Sequence, residues 1–130
     1  MEKSKQNFRL NARLNSFKAA GQGVVTLLKN EHNSWVHLLI SIAVVALGCY
    51  FSITEMEWCL LIIAISLVWM AEALNTAIEY LCDKVSPEID PLIKQAKDVA
   101  AAAVLLSSVG AVLIGLIVFY PYLTALIASV

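Results

Sequence analysis

Long stretches without acidic or basic side chains constrain this chain more than any other feature. Residues 35–53 and 99–120 contain no Asp, Glu, Lys or Arg, and residues 58–70 form a third apolar run. About 20 apolar residues in a helix cross the roughly 30 Å of hydrocarbon in a bilayer. The pattern therefore predicts membrane-spanning helices.

Composition supports this interpretation. Hydrophobic residues make up 60% of the 130 residues and the mean hydropathy is +0.78, whereas a soluble domain has roughly 45–50% apolar residues. A net charge of -1 argues against a nucleic-acid binder. We expect one domain, residues 1–130, with an all-α integral membrane fold that combines an interfacial helix with three transmembrane helices.

The N-terminal segment differs from the spanning runs because its apolar positions recur at helical spacing. Residues 7–30 place apolar or small side chains every three or four positions, with Arg9, Arg13 and Lys18 off that stripe. The segment predicts an amphipathic helix that lies at the membrane surface. It is either a simple anchor or a helix whose basic residues also approach an anionic ligand.

Prolines and polar residues set the expected helix bounds. Pro87 and Pro91 are expected to end the second spanning helix and open the third, and Pro121 is expected to end the third. The predicted transmembrane helices are residues 35–53, 58–83 and 92–120.

Basic residues indicate the orientation. Six of the nine Lys and Arg residues precede the first apolar run, and the other three lie between the last two runs. The connection between the first two runs carries only Glu55 and Glu57 as charged residues. The positive-inside rule then predicts a multi-pass membrane protein with a cytoplasmic N-terminus and an external C-terminus.

The second spanning segment carries an unusual polar stripe. At about 100° per residue, one side of the helix presents Glu72, Asn75, Thr76, Glu79 and Asp83. Acidic residues within a bilayer are energetically costly and usually functional. The stripe is therefore the candidate site, and three helices alone are expected to shield it poorly from lipid, which favours an oligomer.

The ionisable residues fall at two depths. Five of them lie near the cytoplasmic boundary, namely Glu31, Glu79, Asp83, Lys97 and Asp98. Two carboxylates from separate segments suit Mg²⁺, which commonly takes one or two protein carboxylates together with phosphate oxygens and water. Glu72 lies about 10 Å deeper, where it could act as a general base on a hydroxyl presented from within the bilayer.

Structural interpretations compete with these roles. Glu31 could be an exposed carboxylate at a helix end, and Glu79 with Asp83 could pair with Lys97 or Lys84 without a metal. His32 and His37 are five residues apart, which is unfavourable for two ligands on one helix face. As a functional alternative, Glu72 could carry protons in a small ion-coupled transporter.

A family resemblance rests on three motifs. Glu72-Ala-Leu-Asn75-Thr-Ala-Ile-Glu79 is followed by Asp83, Lys97-Asp98 precedes an Ala-rich span, and Asn30-Glu31 precedes the first span. Over residues 15–120 the chain resembles the prokaryotic diacylglycerol kinases, which include the undecaprenol kinases. The resemblance implies a homotrimeric lipid kinase that transfers the ATP γ-phosphoryl group to the hydroxyl of a membrane lipid alcohol at the cytoplasmic face.

The same resemblance implies residue roles. Glu72 acts as catalytic base, oriented by Asn75, and both residues meet the lipid substrate. Glu31 and Glu79 hold Mg²⁺. The ATP-binding set is Glu31, Glu79, Asp83, Lys97, Asp98 and Arg13.

Local sequence points to one branch of the family. Asn30-Glu31-His32-Asn33 followed by His37 is more similar to the undecaprenol-kinase branch than to the enterobacterial enzymes. Ala19 and Ile89-Asp90 align where the enterobacterial pattern has nucleotide-contacting aromatic and Tyr-His residues, so the adenine contacts are expected to differ.

Overall fold

The computed structural model describes residues 10–85 and 90–129, and within these ranges it contains helices and no strand. The four helices are α1 (Leu10–Asn30), α2 (His32–Phe51), α3 (Glu55–Val85) and α4 (Pro91–Ala128). The last three are long and apolar enough to cross a membrane. The predicted fold class, an all-α membrane protein with three spanning helices, is confirmed.

The junction between α1 and α2 is a single residue. Glu31 has an extended backbone, with φ −107° and ψ 115°, and caps the start of α2. Its amide N donates to the carbonyl of Leu27, and its own carbonyl accepts from the amide N of Ser34. The backbone of Glu31 is therefore fixed at the corner between the two helices.

The turn between α2 and α3 is stabilised by a reciprocal capping box. Glu57 Oε2 accepts hydrogen bonds from the amide N and Oγ1 of Thr54, each 2.8 Å long. The amide N of Glu57 in turn donates to Thr54 Oγ1. Tyr122 of α4 also donates its hydroxyl to Glu57 Oε2 at 2.7 Å, so this turn is tied to the distant C-terminal helix.

The start of α4 follows the expected pattern. Asp90 Oδ1 accepts from the amide N atoms of Leu92 and Ile93, and Pro91 occupies the first turn, where its missing N–H costs nothing. Pro87 lies outside the described residues, as do residues 7–9 of the predicted interfacial helix.

The end of α4 corrects one prediction, because the helix passes through Pro121 and continues to Ala128. A proline in a helix interior removes one N–H donor and crowds the carbonyl four residues earlier, so a helix that passes through it needs contacts that offset this cost. Continuation also positions Tyr122 against Phe51, with ring centroids 5.6 Å apart. The prediction that Pro121 ends the helix was wrong.

Helices α3 and α4 pack most extensively. A buried cluster near the α2–α3 turn contains Ile53, Leu61, Val118 and Phe119. Gly48 of α2 lies so close to Trp58 of α3 that a Cβ atom at Gly48 would be 2.7 Å from the indole. Most other large apolar side chains point outward, as expected for surfaces that face lipid or another chain.

Candidate functional site

The polar stripe of α3 runs from a buried end to an exposed end. Glu72 is only 2% exposed, and the neighbouring Asn75 and Thr76 are also buried. Glu79 is half-buried and Asp83 is exposed. The stripe thus leads from the interior of the helical bundle to its surface.

The burial of Glu72 corrects part of the argument for an oligomer. We predicted that three helices of one chain would leave the stripe facing lipid, but a single chain buries Glu72, Asn75 and Thr76. The reason is that residues of α2 and α4, among them His37 and Ser108, surround the same space as Glu72. The shielding argument was therefore wrong for these three residues, whereas Glu79 is half-buried and Asp83 exposed, and an oligomer stays a prediction.

A polar cavity of about 340 Å³ lies along this part of α3. It brings together three of the predicted site residues, Glu72, Asn75 and Glu79. Helix α2 contributes Asn33, Val36 and His37, and α4 contributes Ala101, Val104, Leu105 and Ser108. Carboxylate, amide and hydroxyl groups from three helices thus face one space.

Within the cavity, Asn75 is bonded to Glu79. Asn75 Nδ2 donates to Glu79 Oε1 at 2.9 Å, which is an interaction between residues one helical turn apart. We predicted that Asn75 orients Glu72; its Nδ2 is bonded to Glu79, its Oδ1 has no partner among the described residues, and the predicted role at Glu72 stays a prediction. The side chain of Glu79 is long enough to reach back along the helix to Asn75, so the amide is already engaged there.

The partner of Glu72 is instead His37, which we had not predicted to act there. His37 Nε2 lies 3.7 Å from Glu72 Oε2, an ion-pair distance longer than a hydrogen bond. His37 is the only histidine in the apolar run 35–53, and an ionisable side chain within an apolar run was a usable signal. Its proximity to Glu72 depends on how α2 and α3 pack, which sequence spacing does not reveal.

A second pair lies at the exposed end of the stripe. Lys97 Nζ of α4 contacts Asp83 Oδ1 of α3 at 2.9 Å. Asp98 follows on an exposed part of α4, and Arg13 is exposed in α1. The structure thus joins two of the predicted ATP-binding residues directly.

The end of α1 is attached to α3 next to Glu79. Asn30 Nδ2 donates to the hydroxyl of Tyr80 at 3.2 Å. This bond joins the residue before Glu31 to the residue after Glu79, and Glu31 itself is half-buried. Tyr80 was not singled out from the sequence, because one tyrosine in a helix carries no distinctive signal.

Glu31 and Glu79, the two carboxylates predicted to bind Mg²⁺, come from different segments of the chain. Among residues 10–85 and 90–129, no group of three or more His, Cys, Asp or Glu side chains is arranged to hold a metal. Zn²⁺ sites use three or four protein ligands, whereas Mg²⁺ keeps water and phosphate oxygens beside one or two carboxylates. Glu31 and Glu79 provide such carboxylates.

A larger apolar cavity of about 800 Å³ lies between α2, α3 and α4. Its walls are mainly aliphatic and aromatic, and include Val44, Leu61 and Phe119. It shares His37, Val36 and Ser108 with the polar cavity. The two cavities are therefore adjacent, one suited to hydrocarbon and the other to polar groups.

Comparisons with known proteins agree with these features. A family model described as prokaryotic diacylglycerol kinase matches residues 18–119. An undecaprenol kinase of Bacillus subtilis is 36% identical over 88% of this chain and 93% of that protein. A diacylglycerol kinase of Synechocystis is 33% identical over 85% of this chain and 64% of that protein. For the Escherichia coli diacylglycerol kinase, 36% identity extends over 53% of this chain and 57% of that protein.

Proposed function

Because the chain belongs to the prokaryotic diacylglycerol kinase family and is a lipid kinase, we propose that it phosphorylates undecaprenol or a diacylglycerol with ATP. The observation that carries the proposal is a buried carboxylate, Glu72, in a polar cavity adjacent to an apolar one. A lipid alcohol needs both cavities, the apolar one for its hydrocarbon chain and the polar one for its hydroxyl group. Family membership favours this activity over the ion-coupled transporter.

In the proposed reaction, the lipid hydroxyl oxygen bonds to the γ-phosphorus of ATP. The bond from that phosphorus to the oxygen bridging the β- and γ-phosphates breaks, and ADP leaves. Glu72 accepts the hydroxyl proton. Such phosphoryl transfers depend mainly on positioning and on stabilisation of charge, and a base inside the bundle can meet an alcohol that arrives through the lipid phase.

The nucleotide is proposed to bind at the exposed end of the stripe. Glu31 and Glu79 would hold Mg²⁺ together with phosphate oxygens, and the ion would supply positive charge to the phosphates. Lys97 would exchange Asp83 for a phosphate, because a solvent-exposed ion pair contributes little stability. Asp83, Asp98 and Arg13 complete the proposed ATP-binding set.

Undecaprenol is the first substrate to test. The relative named undecaprenol kinase is aligned with this chain over 93% of its length. The similarity of Asn30-Glu31-His32-Asn33 and His37 to that branch supports the same choice. Diacylglycerol remains the second candidate, since an apolar cavity lined by aliphatic side chains accepts either kind of chain.

We propose that the ATP-binding end faces the cytoplasm, where ATP is available. The N-terminus would then be cytoplasmic and the C-terminus external, across the cytoplasmic membrane. Lys29, Lys84 and Lys94 lie near the same ends of the helices as Glu31 and Asp83, in agreement with the positive-inside rule. A homotrimer of this single kinase domain is proposed from the family resemblance and would cover part of the outward-facing apolar surface.

A direct assay tests the activity and the base together. Purified protein in lipid nanodiscs would be incubated with Mg²⁺ and γ-labelled ATP, with undecaprenol or diacylglycerol supplied side by side. We expect label in the lipid product, and we expect Glu72→Gln to abolish turnover while retaining Mg·ATP binding. The matched control is Glu55→Gln, which removes an exposed carboxylate from the other end of α3.

Two results would contradict the proposal. Normal turnover by Glu72→Gln would exclude this residue as the base. Absence of lipid phosphorylation by the wild-type protein, together with pH-dependent ion flux in liposomes, would support the transporter instead.

The assignment of Glu79 as a Mg²⁺ ligand has its own test. Glu79→Gln should raise the Mg²⁺ concentration required for activity or eliminate activity, and normal Mg²⁺ dependence would contradict the assignment.

A further inference from the structure

One oxygen of the Glu72 carboxylate lacks a hydrogen-bond partner in the part of the chain that is described. Its Oε2 atom is fully buried and accepts no hydrogen bond, and Asn75 is engaged with Glu79. A buried carboxylate without compensation is costly when ionised. The nearby group able to compensate it is the His37 imidazole, 3.7 Å away.

His37 is itself braced from both helices. Its ring meets Trp69 of α3 edge-to-face, with centroids 6.4 Å apart. Trp69 Nε1 donates to Ser41 Oγ at 3.1 Å, and Ser41 Oγ donates to the His37 carbonyl at 2.7 Å. The hydrogen bonds link the backbone of α2 at His37 to α3, and the imidazole itself meets the edge of the Trp69 ring.

His37 also lies where the apolar and polar cavities meet, since it lines both. A lipid alcohol whose chain occupies the apolar cavity would reach Glu72 beside this side chain. The lipid hydroxyl and the Glu72 carboxylate must be oriented toward each other at this position. His37 is the polar side chain that α2 supplies there.

From these contacts we propose that His37 is a positioning residue for Glu72. Its Nε2–H directs the carboxylate toward the entering hydroxyl, the Trp69 ring packs against the imidazole, and the Ser41 bond anchors the His37 backbone. The inference rests on the proposed function, in which Glu72 is the base. A distance of 3.7 Å before substrate binds is compatible with this role, because such contacts often shorten only in the substrate complex.

Two variants of similar length separate the role from simple packing. His37→Gln retains an N–H donor at the Nε2 position, whereas His37→Met fills similar space without a donor. Loss of one hydrogen bond to a charged group corresponds to roughly a 10- to 100-fold change in rate. We expect His37→Met to lower kcat for lipid phosphorylation by that factor, with KM for Mg·ATP within about twofold, and His37→Gln to recover most of the loss.

The controls distinguish the possible failures. His32→Met changes the exposed histidine at the start of α2 and should leave kcat unchanged. Trp69→Phe, which removes the bond to Ser41 but retains a ring, should lower kcat less than His37→Met. Equal kcat in His37→Gln and His37→Met would overturn the inference, whether both are active or both impaired. If Glu72→Gln is inactive while His37→Met is fully active, the positioning role alone fails, whereas an active Glu72→Gln removes the proposed base itself.

Discussion

The close approach of α2 to α3 at Gly48 gives a quantitative test of the packing that holds these helices together. A Cβ atom at position 48 would lie 2.7 and 2.9 Å from Trp58 Cη2 and Cζ2, and 3.1 Å from Ile53 Cδ1. Favourable carbon contacts are about 3.5–4.0 Å, so the rigid indole must shift by about 1 Å. Overpacking of this kind costs about 1–3 kcal/mol, which exceeds the helix-propensity gain of about 0.5–1 kcal/mol.

Taking the middle of each range, we expect Gly48→Ala to destabilise the protein by about 1 kcal/mol net. The measurement is reversible unfolding in detergent micelles, followed by helical circular dichroism. Gly110→Ala is the matched control, because a Cβ there meets nothing within 4 Å, and it should be neutral or stabilising. In a Trp58→Phe background, which lacks the two contacting atoms, Gly48→Ala should cost less. A variant Gly48→Ala as stable as wild type, or an equal cost in both backgrounds, would refute the reasoning.

Three other substitutions test single contacts. Tyr122→Phe removes one of the donors to Glu57. It should lower the unfolding midpoint, but less than Gly48→Ala does, because Thr54 still bonds that carboxylate. An unchanged midpoint would show that this bond between α3 and α4 contributes no stability. Thr76→Val replaces a buried hydroxyl that has no hydrogen-bond partner among the described residues. It should raise the free energy of unfolding by about 1 kcal/mol, and a destabilised variant would contradict this. Asn75→Leu removes the donor to Glu79 and should raise the Mg²⁺ concentration needed for half-maximal activity several-fold. A Mg²⁺ requirement equal to that of the wild type would argue against Asn75 as the residue that orients Glu79.

Local patterns were enough to predict the helices and the polar stripe. Apolar length predicts a spanning helix because every backbone N–H and C=O must be satisfied within hydrocarbon. Helical periodicity then puts Glu72, Asn75 and Glu79 on one side of α3. Neither property depends on which helix packs beside α3, so both could be read before any tertiary contact was known.

The continuation of α4 past Pro121 was harder to predict from the sequence. A proline is a strong local signal for a helix end, but the outcome depends on what the following turn contacts. Here Tyr122 packs on Phe51 and bonds Glu57. Tertiary contacts outweighed the local preference.

The sequence by itself determined that this is an all-α membrane protein with carboxylates along one face of a spanning helix, because length and periodicity are properties of a single segment. Only the tertiary structure decided that Glu72 is buried within one chain and that His37 faces Glu72. Those facts depend on how each helix is rotated and how far it is shifted along its axis. His37 and Glu72 are 35 positions apart in the chain. Many other pairs of side chains on these two helices have equivalent helical positions, and the packing of α2 on α3 decides which pair meets.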